Sequence, residues 1–167
     1  MNVLVMFYTR TGRTEALARE IAAGVALVAG AKPILRPAWE VTEADLEAAS
    51  AVIAGSPVYF GSMAAELKQV FDRHIGLRRK MAGKVGAAFA TSGHRNGGKE
   101  TTLLSILQAL LIYGMVVVGD PIEASGHYGV ACSGSVDDET LTMARQLGTR
   151  VARLASTLSS SPSKIPY

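Results

Sequence analysis

Short apolar runs alternate along the chain with longer segments in which apolar positions recur every three or four residues. The runs lie at 3–7, 33–35, 51–54, 85–90 and 115–118. Each is nearly uniformly apolar and bounded by Gly, Pro or polar residues, the pattern of strands buried on both faces of a parallel sheet. Between them, Leu17, Ile21, Val25 and Val28 fall on one helical face, as do Met63, Leu67, Val70 and Phe71, and Leu103, Leu107 and Leu110. The longest stripe is Leu141, Ala144, Leu147, Val151, Leu154 and Leu158.

Five strands alternating with helices predict an α/β fold, a doubly wound parallel sheet with helices on both faces. Right-handed crossovers place every strand-to-helix loop at one edge of such a sheet, and ligands bind there, outside the carboxyl ends of the strands. The loops after strands one, three, four and five are therefore the places to look for chemistry.

At 167 residues the chain is expected to form one domain, over residues 1–158, with a Ser/Pro-rich disordered tail at 159–167. One cysteine, Cys132, excludes an internal disulfide framework and a multi-cysteine metal site, and no metal is expected. No apolar run approaches the roughly 20 residues of a membrane span, and Met1 leads directly into the first strand without the pattern of a signal peptide. A cytoplasmic protein without membrane insertion follows. The net charge of +3 comes from scattered Lys and Arg with no basic stripe between aromatics, so nucleic acid is not an expected partner.

The first loop, Tyr8-Thr9-Arg10-Thr11-Gly12-Arg13-Thr14, sets hydroxyls, a glycine turn and two arginines before a helix N-terminus, where the helix dipole favours an anion. It has neither the lysine of a Walker loop nor the glycine spacing of a dinucleotide fingerprint, so a phosphate monoester fits better than ATP or a Rossmann-bound nucleotide. The same residues also fit an ordinary helix cap, with Thr11 or Thr14 satisfying the first amides. The third-strand loop carries Pro57-Val58-Tyr59-Phe60-Gly61, adjacent rings that suit a planar ligand or a partner chain, unless one simply folds into the core. In the fourth loop, Thr91-Ser92-Gly93-His94-Arg95-Asn96-Gly97-Gly98, the glycines free backbone amides to converge on a heteroaromatic rim, although a mobile surface loop would look similar. Residues 120–136 form a long Gly/Ser-rich excursion containing Gly126-His127-Tyr128-Gly129, with Cys132 read as a packing residue.

Together these loops resemble the flavodoxin superfamily. Thr9-Arg10-Thr11-Gly12-Arg13-Thr14 is similar to its T-x-T-G-x-T loop for the phosphate of flavin mononucleotide (FMN). Gly55-Ser56-Pro57-Val58-Tyr59-Phe60-Gly61-Ser62-Met63, Gly97-Gly98-Lys99-Glu100-Thr101-Thr102 and Gly126-His127-Tyr128-Gly129 resemble one branch, the flavodoxin-like NAD(P)H:quinone oxidoreductases, historically called tryptophan-repressor-binding proteins. The resemblance implies a five-stranded sheet in the order 2-1-3-4-5 and a bound FMN. Thr9, Arg10, Thr11, Gly12, Arg13 and Thr14 would hold its phosphate. Pro57, Val58, Tyr59, Phe60 and Gly61 would line its ring. Thr91, Ser92, Gly93, His94 and Gly97 would run along the pyrimidine side. His94 and Tyr128 are the candidate catalytic residues, with Tyr128 approaching the flavin face.

The resemblance further implies a reductase that takes hydride from NAD(P)H and passes it on to quinones in a ping-pong cycle, and the aromatics Tyr59, Phe60 and Tyr128, expected at the surface, suggest a homo-oligomer, a dimer or tetramer. The rival reading is a flavodoxin-type one-electron carrier between redox proteins. Such carriers surround the flavin with acidic residues and stack a fourth-loop aromatic on it, whereas Arg10, Arg13, His94 and Arg95 make these loops basic and no aromatic occurs at 92–98. A third reading is a non-catalytic flavin-binding or partner-binding module. It draws on two departures from the branch: Ile112 stands where a histidine is usual, and only residues 41–50 lie where the branch carries an insertion.

Overall fold

The apolar runs do form a parallel sheet, in a computed structural model that describes residues 1–160. Strands β1 (Asn2–Phe7), β2 (Lys32–Pro37), β3 (Ala49–Tyr59), β5 (Val85–Ser92) and β6 (Val116–Val117) lie in the order β2-β1-β3-β5-β6. Side chains alternate between the two faces of a strand. Val3, Val5 and Phe7 therefore join one core cluster and Leu4 and Met6 the other. Both faces are covered, which is why the runs read as continuously apolar.

Helices α1 (Arg13–Ala26) and α6 (Asp138–Ser160) cover one face, through Leu17, Ile21 and Val25 against Leu147 and Val151. They pack closely enough that a methyl group on Gly24 would lie 2.0 Å from the Arg145 carbonyl oxygen, and one on Gly148 2.0 Å from that of Ile21. The other face is covered by α2 (Glu43–Ala48), α3 (Ala65–Arg73), α4 (Arg78–Met81) and α5 (Lys99–Ile112).

The five expected strands form the main order, and among the described residues two further short strands join the sheet. A two-residue strand β4 (Ser62–Met63) folds back antiparallel on the end of β3, so Met63, expected on a helix face, lies in a hairpin. The fifth sheet position is shared by two segments. β6 pairs with Val85 and Gly86, and β7 (Val130–Ser133) pairs with Phe89 through Ser92. Residues 118–129 leave the sheet between them, so the expected long loop is a shorter excursion followed by a return to the same strand position. The short helix α2 was also unexpected. It is held by a capping box, Asp45 N–H donating to Thr42 Oγ1 at 3.1 Å and Thr42 N–H to Asp45 Oδ2 at 3.1 Å. Helix α6 continues through Ser160, so Ser159 and Ser160 of the expected tail are helical, and the remainder of that tail lies outside the described residues. No helix among the described residues is long and apolar enough to cross a membrane.

Candidate functional site

Because the main strands run parallel, β1, β3, β5 and β7 all end at one edge, and the loops singled out in the sequence meet there. After β1 the chain turns through Gly12 at φ 83°, a left-handed conformation that costs glycine little. Gly12 is the N-cap of α1, and no side chain caps this helix. The alternative of a threonine cap is therefore absent, and the first-turn amides are left for another acceptor. Thr9 Oγ1 accepts from Gly12 N–H at 3.0 Å, and Thr11 Oγ1 from Arg13 Nε at 3.3 Å. A hydroxyl that accepts internally keeps its own proton to donate, so both threonines are arranged as donors to an external anion. Arg10 is exposed.

Two of the six expected phosphate residues face inward. Thr14 is buried and shares a 2.8 Å hydroxyl–hydroxyl bond with Thr91. Arg13 Nη1 donates to the Gly134 carbonyl at 2.7 Å and lies 3.4 Å from that of Ser92. These contacts bring the first and fourth loops and the end of β7 into one unit.

The third loop is a tight hairpin, with Val58 paired to Met63 and Tyr59 to Ser62. Its two turn residues, Phe60 at φ 51° and Gly61 at φ 76°, are both left-handed, as a two-residue hairpin favours. An aromatic in that region is strained by about 1–3 kcal/mol. Phe60 stands fully exposed at the tip. Tyr59 behaves differently. It is half-buried, and its ring meets that of Tyr8 edge-on at a centroid distance of 6.2 Å, while Tyr8 meets Trp39 at 6.4 Å. The Tyr8 phenol is pushed above its ordinary pKa, chiefly by the neighbouring Glu66 carboxylate. The base of the hairpin is fixed by Ser56 Oγ, which donates to the Pro57 carbonyl at 2.7 Å and accepts from Ala64 N–H at 2.8 Å.

In the fourth loop the polar groups are turned on one another. Ser92 Oγ accepts from His94 N–H and donates to the His94 carbonyl, which also accepts from Gly97 N–H at 3.1 Å. His94 Nδ1 accepts from Asn96 N–H at 3.3 Å, which leaves the ring proton of this tautomer on Nε2. Gly93 and His94 are exposed. The loop ends at Gly98, φ 74°, the N-cap of α5 and again without a side-chain cap. A methyl on Gly98 would lie 3.1 Å from Gly61 Cα, so the third and fourth loops touch.

Tyr128 is half-exposed on the excursion between β6 and β7. It lines a cleft of about 180 Å³ with Lys99, Glu100, His127 and Met143. The excursion is organised by Asp120, a buried carboxylate that accepts from His127 N–H at 2.8 Å and Gly129 N–H at 3.1 Å. Burial pushes the Cys132 thiol above its ordinary pKa, in keeping with a packing residue. Sequence reasoning missed Asp120, Trp39 and Gly134. A carboxylate set between Gly119 and Pro121 in a Gly-rich stretch, and a lone tryptophan just after β2, were the available signals for the first two. Gly134 had no signal, because it acts through its carbonyl.

Residues 31–129 match the NADPH-dependent FMN reductase family. An NAD(P)H dehydrogenase (quinone) from Archaeoglobus fulgidus is 34% identical, over 94% of this chain and 98% of its own. One from Gluconacetobacter diazotrophicus is 35% identical, over 95% and 98%. The alignment with the Archaeoglobus protein extends over 189 positions against the 167 residues here, so that relative carries additional internal residues. Among solved structures, a flavodoxin, WrbA-like protein from Agrobacterium tumefaciens superposes with a TM-score of 0.80 at 26% identity, over 93% of this chain and 98% of that one.

Proposed function

The chain belongs to the NADPH-dependent FMN reductase family, and from that premise we propose that it is an FMN-dependent NAD(P)H:quinone oxidoreductase. FMN, when bound, would supply the redox chemistry, relaying a hydride equivalent from NAD(P)H to a quinone, which takes one further proton from solvent to become the hydroquinone. The observation that carries the reading is the uncapped N-terminus of α1 behind Thr9 and Thr11, whose hydroxyls accept within the loop and keep their protons for an anion. That donor set fits a phosphate monoester.

Thr9, Thr11, Gly12 and the first amides of α1 hold the phosphate, and exposed Arg10 draws it in. Pro57, Val58, Tyr59, Phe60 and Gly61 line the ring, and Thr91, Ser92, Gly93, His94 and Gly97 border its pyrimidine side. His94 is assigned as a catalytic donor through Nε2–H. Tyr128, on the cleft it lines with Lys99 and Met143, is assigned as the second, and that cleft as the space where nicotinamide and quinone would bind in turn. That shared space makes the cycle ping-pong. The same reading places the protein in the cytoplasm, and the exposed rings of Phe60, Trp39 and Tyr128 favour a homo-oligomer.

The test is steady-state oxidation of NADPH and NADH by the FMN-loaded protein with benzoquinone as acceptor. Turnover that needs both FMN and quinone is expected, and its absence with either nucleotide would refute the assignment.

A further inference from the structure

We infer that Arg13 is a positioning residue, a staple that holds the loops of the flavin site together from within and makes no contact with the phosphate. The inference rests on the FMN reading above. The Arg13 guanidinium spans three segments: Nε donates to Thr11 Oγ1, and Nη1 donates to the Gly134 carbonyl after β7 and reaches towards the Ser92 carbonyl at the end of β5. The Ser92 carbonyl also accepts from Gly134 N–H at 2.9 Å, so the cation sits over an existing bridge between the two strand ends. The next residue, Thr14, ties the same loop to Thr91. Arg13 acts on the flavin through the spacing of the loops it joins. Lysine would keep the charge, but its single nitrogen has no planar fork with which to reach a hydroxyl and two carbonyls at once.

The experiment compares wild type, Arg13→Lys, Arg13→Gln and Thr11→Val. FMN and riboflavin affinities are read by quenching of flavin fluorescence, and backbone hydrogen exchange is read in the flavin-free proteins. The staple predicts that both Arg13 variants weaken FMN and riboflavin by the same factor, roughly tenfold. Lysine should not rescue the loss, and exchange should accelerate at Gly134 and residues 93–97. Thr11→Val should weaken FMN alone. A loss confined to FMN and restored by lysine would make Arg13 a phosphate ligand and overturn the inference, as would unchanged affinities or unchanged exchange. Failure of the wild type to quench FMN would instead overturn the FMN reading, while the exchange data still decide whether the staple exists.

Discussion

Helices α1 and α5 begin alike, each running 14 residues from a left-handed glycine with no side-chain cap, yet the loops that lead into them are in different states. Before α1, Thr9 and Thr11 accept from within the loop and direct their protons outward. Before α5, the amides of His94, Asn96 and Gly97 are all donated inside the loop. Under the proposed function, the loop before α1 is ready for a phosphate, whereas the loop before α5 would exchange its internal hydrogen bonds for bonds to a flavin. Affinity should come mainly from the first and adaptation from the second.

The largest predicted effect falls on the second loop. A methyl at Gly97 would lie 1.8 Å from Ser92 Oγ and 2.8 Å from the His94 carbonyl oxygen. Gly97→Ala should cost about 1–3 kcal/mol in denaturant unfolding. It should also alter the spectrum of bound FMN. A control far from either loop is Tyr113, whose hydroxyl donates to the buried Phe71 carbonyl at 2.7 Å. Tyr113→Phe should cost about 1–2 kcal/mol by leaving that carbonyl unpaired, with FMN affinity unchanged. Burial raises the Tyr113 phenol from 10.0 to about 12, so the folded state binds its proton more tightly than the unfolded chain does. Its contribution is whole below pH 10 and is lost as pH rises through about 12. The phenylalanine variant should lack that alkaline loss.

Gly12 sharpens the contrast with Gly97. Nothing lies within 4 Å of a methyl placed there, so Gly12→Ala should carry only the left-handed strain of φ 83°. That strain is about 1 kcal/mol in unfolding. Smallest of all, Arg10→Gln should change stability by no more than about 0.5 kcal/mol, since the side chain is exposed. It should nonetheless slow FMN association at low ionic strength, an effect that added salt removes.

The parts of the fold that local patterning controls were legible in the sequence. The run at 3–7 became β1, and the stripe from Leu141 to Leu158 became α6, because strand alternation and helical period report burial directly. The divided fifth position was not legible. Val130–Ser133 reads as part of a Gly/Ser-rich loop, and only its pairing with Phe89 to Ser92 makes it a strand. In the candidate site, the fold pattern pointed to the loops after β1, β3 and β5, and these do meet at one edge of the sheet. The inward turn of Arg13 was not legible, since its partners Ser92 and Gly134 are distant in sequence and engage through backbone carbonyls, which carry no residue signature. The two states of the loops were hidden for the same reason. Both are rich in Gly and polar residues, and only the hydrogen bonds distinguish a loop turned outward from one turned on itself.

The most direct test separates the two half-reactions. FMN-loaded protein is mixed anaerobically with NADPH alone, and the reduced protein, freed of nucleotide, is then mixed with benzoquinone alone. A ping-pong reductase predicts that the visible band of oxidised flavin bleaches at a rate at least equal to turnover in the first mixing and returns as fast in the second. A band that NADPH and NADH both leave unbleached on that timescale, or that returns only with nucleotide present, would contradict the account.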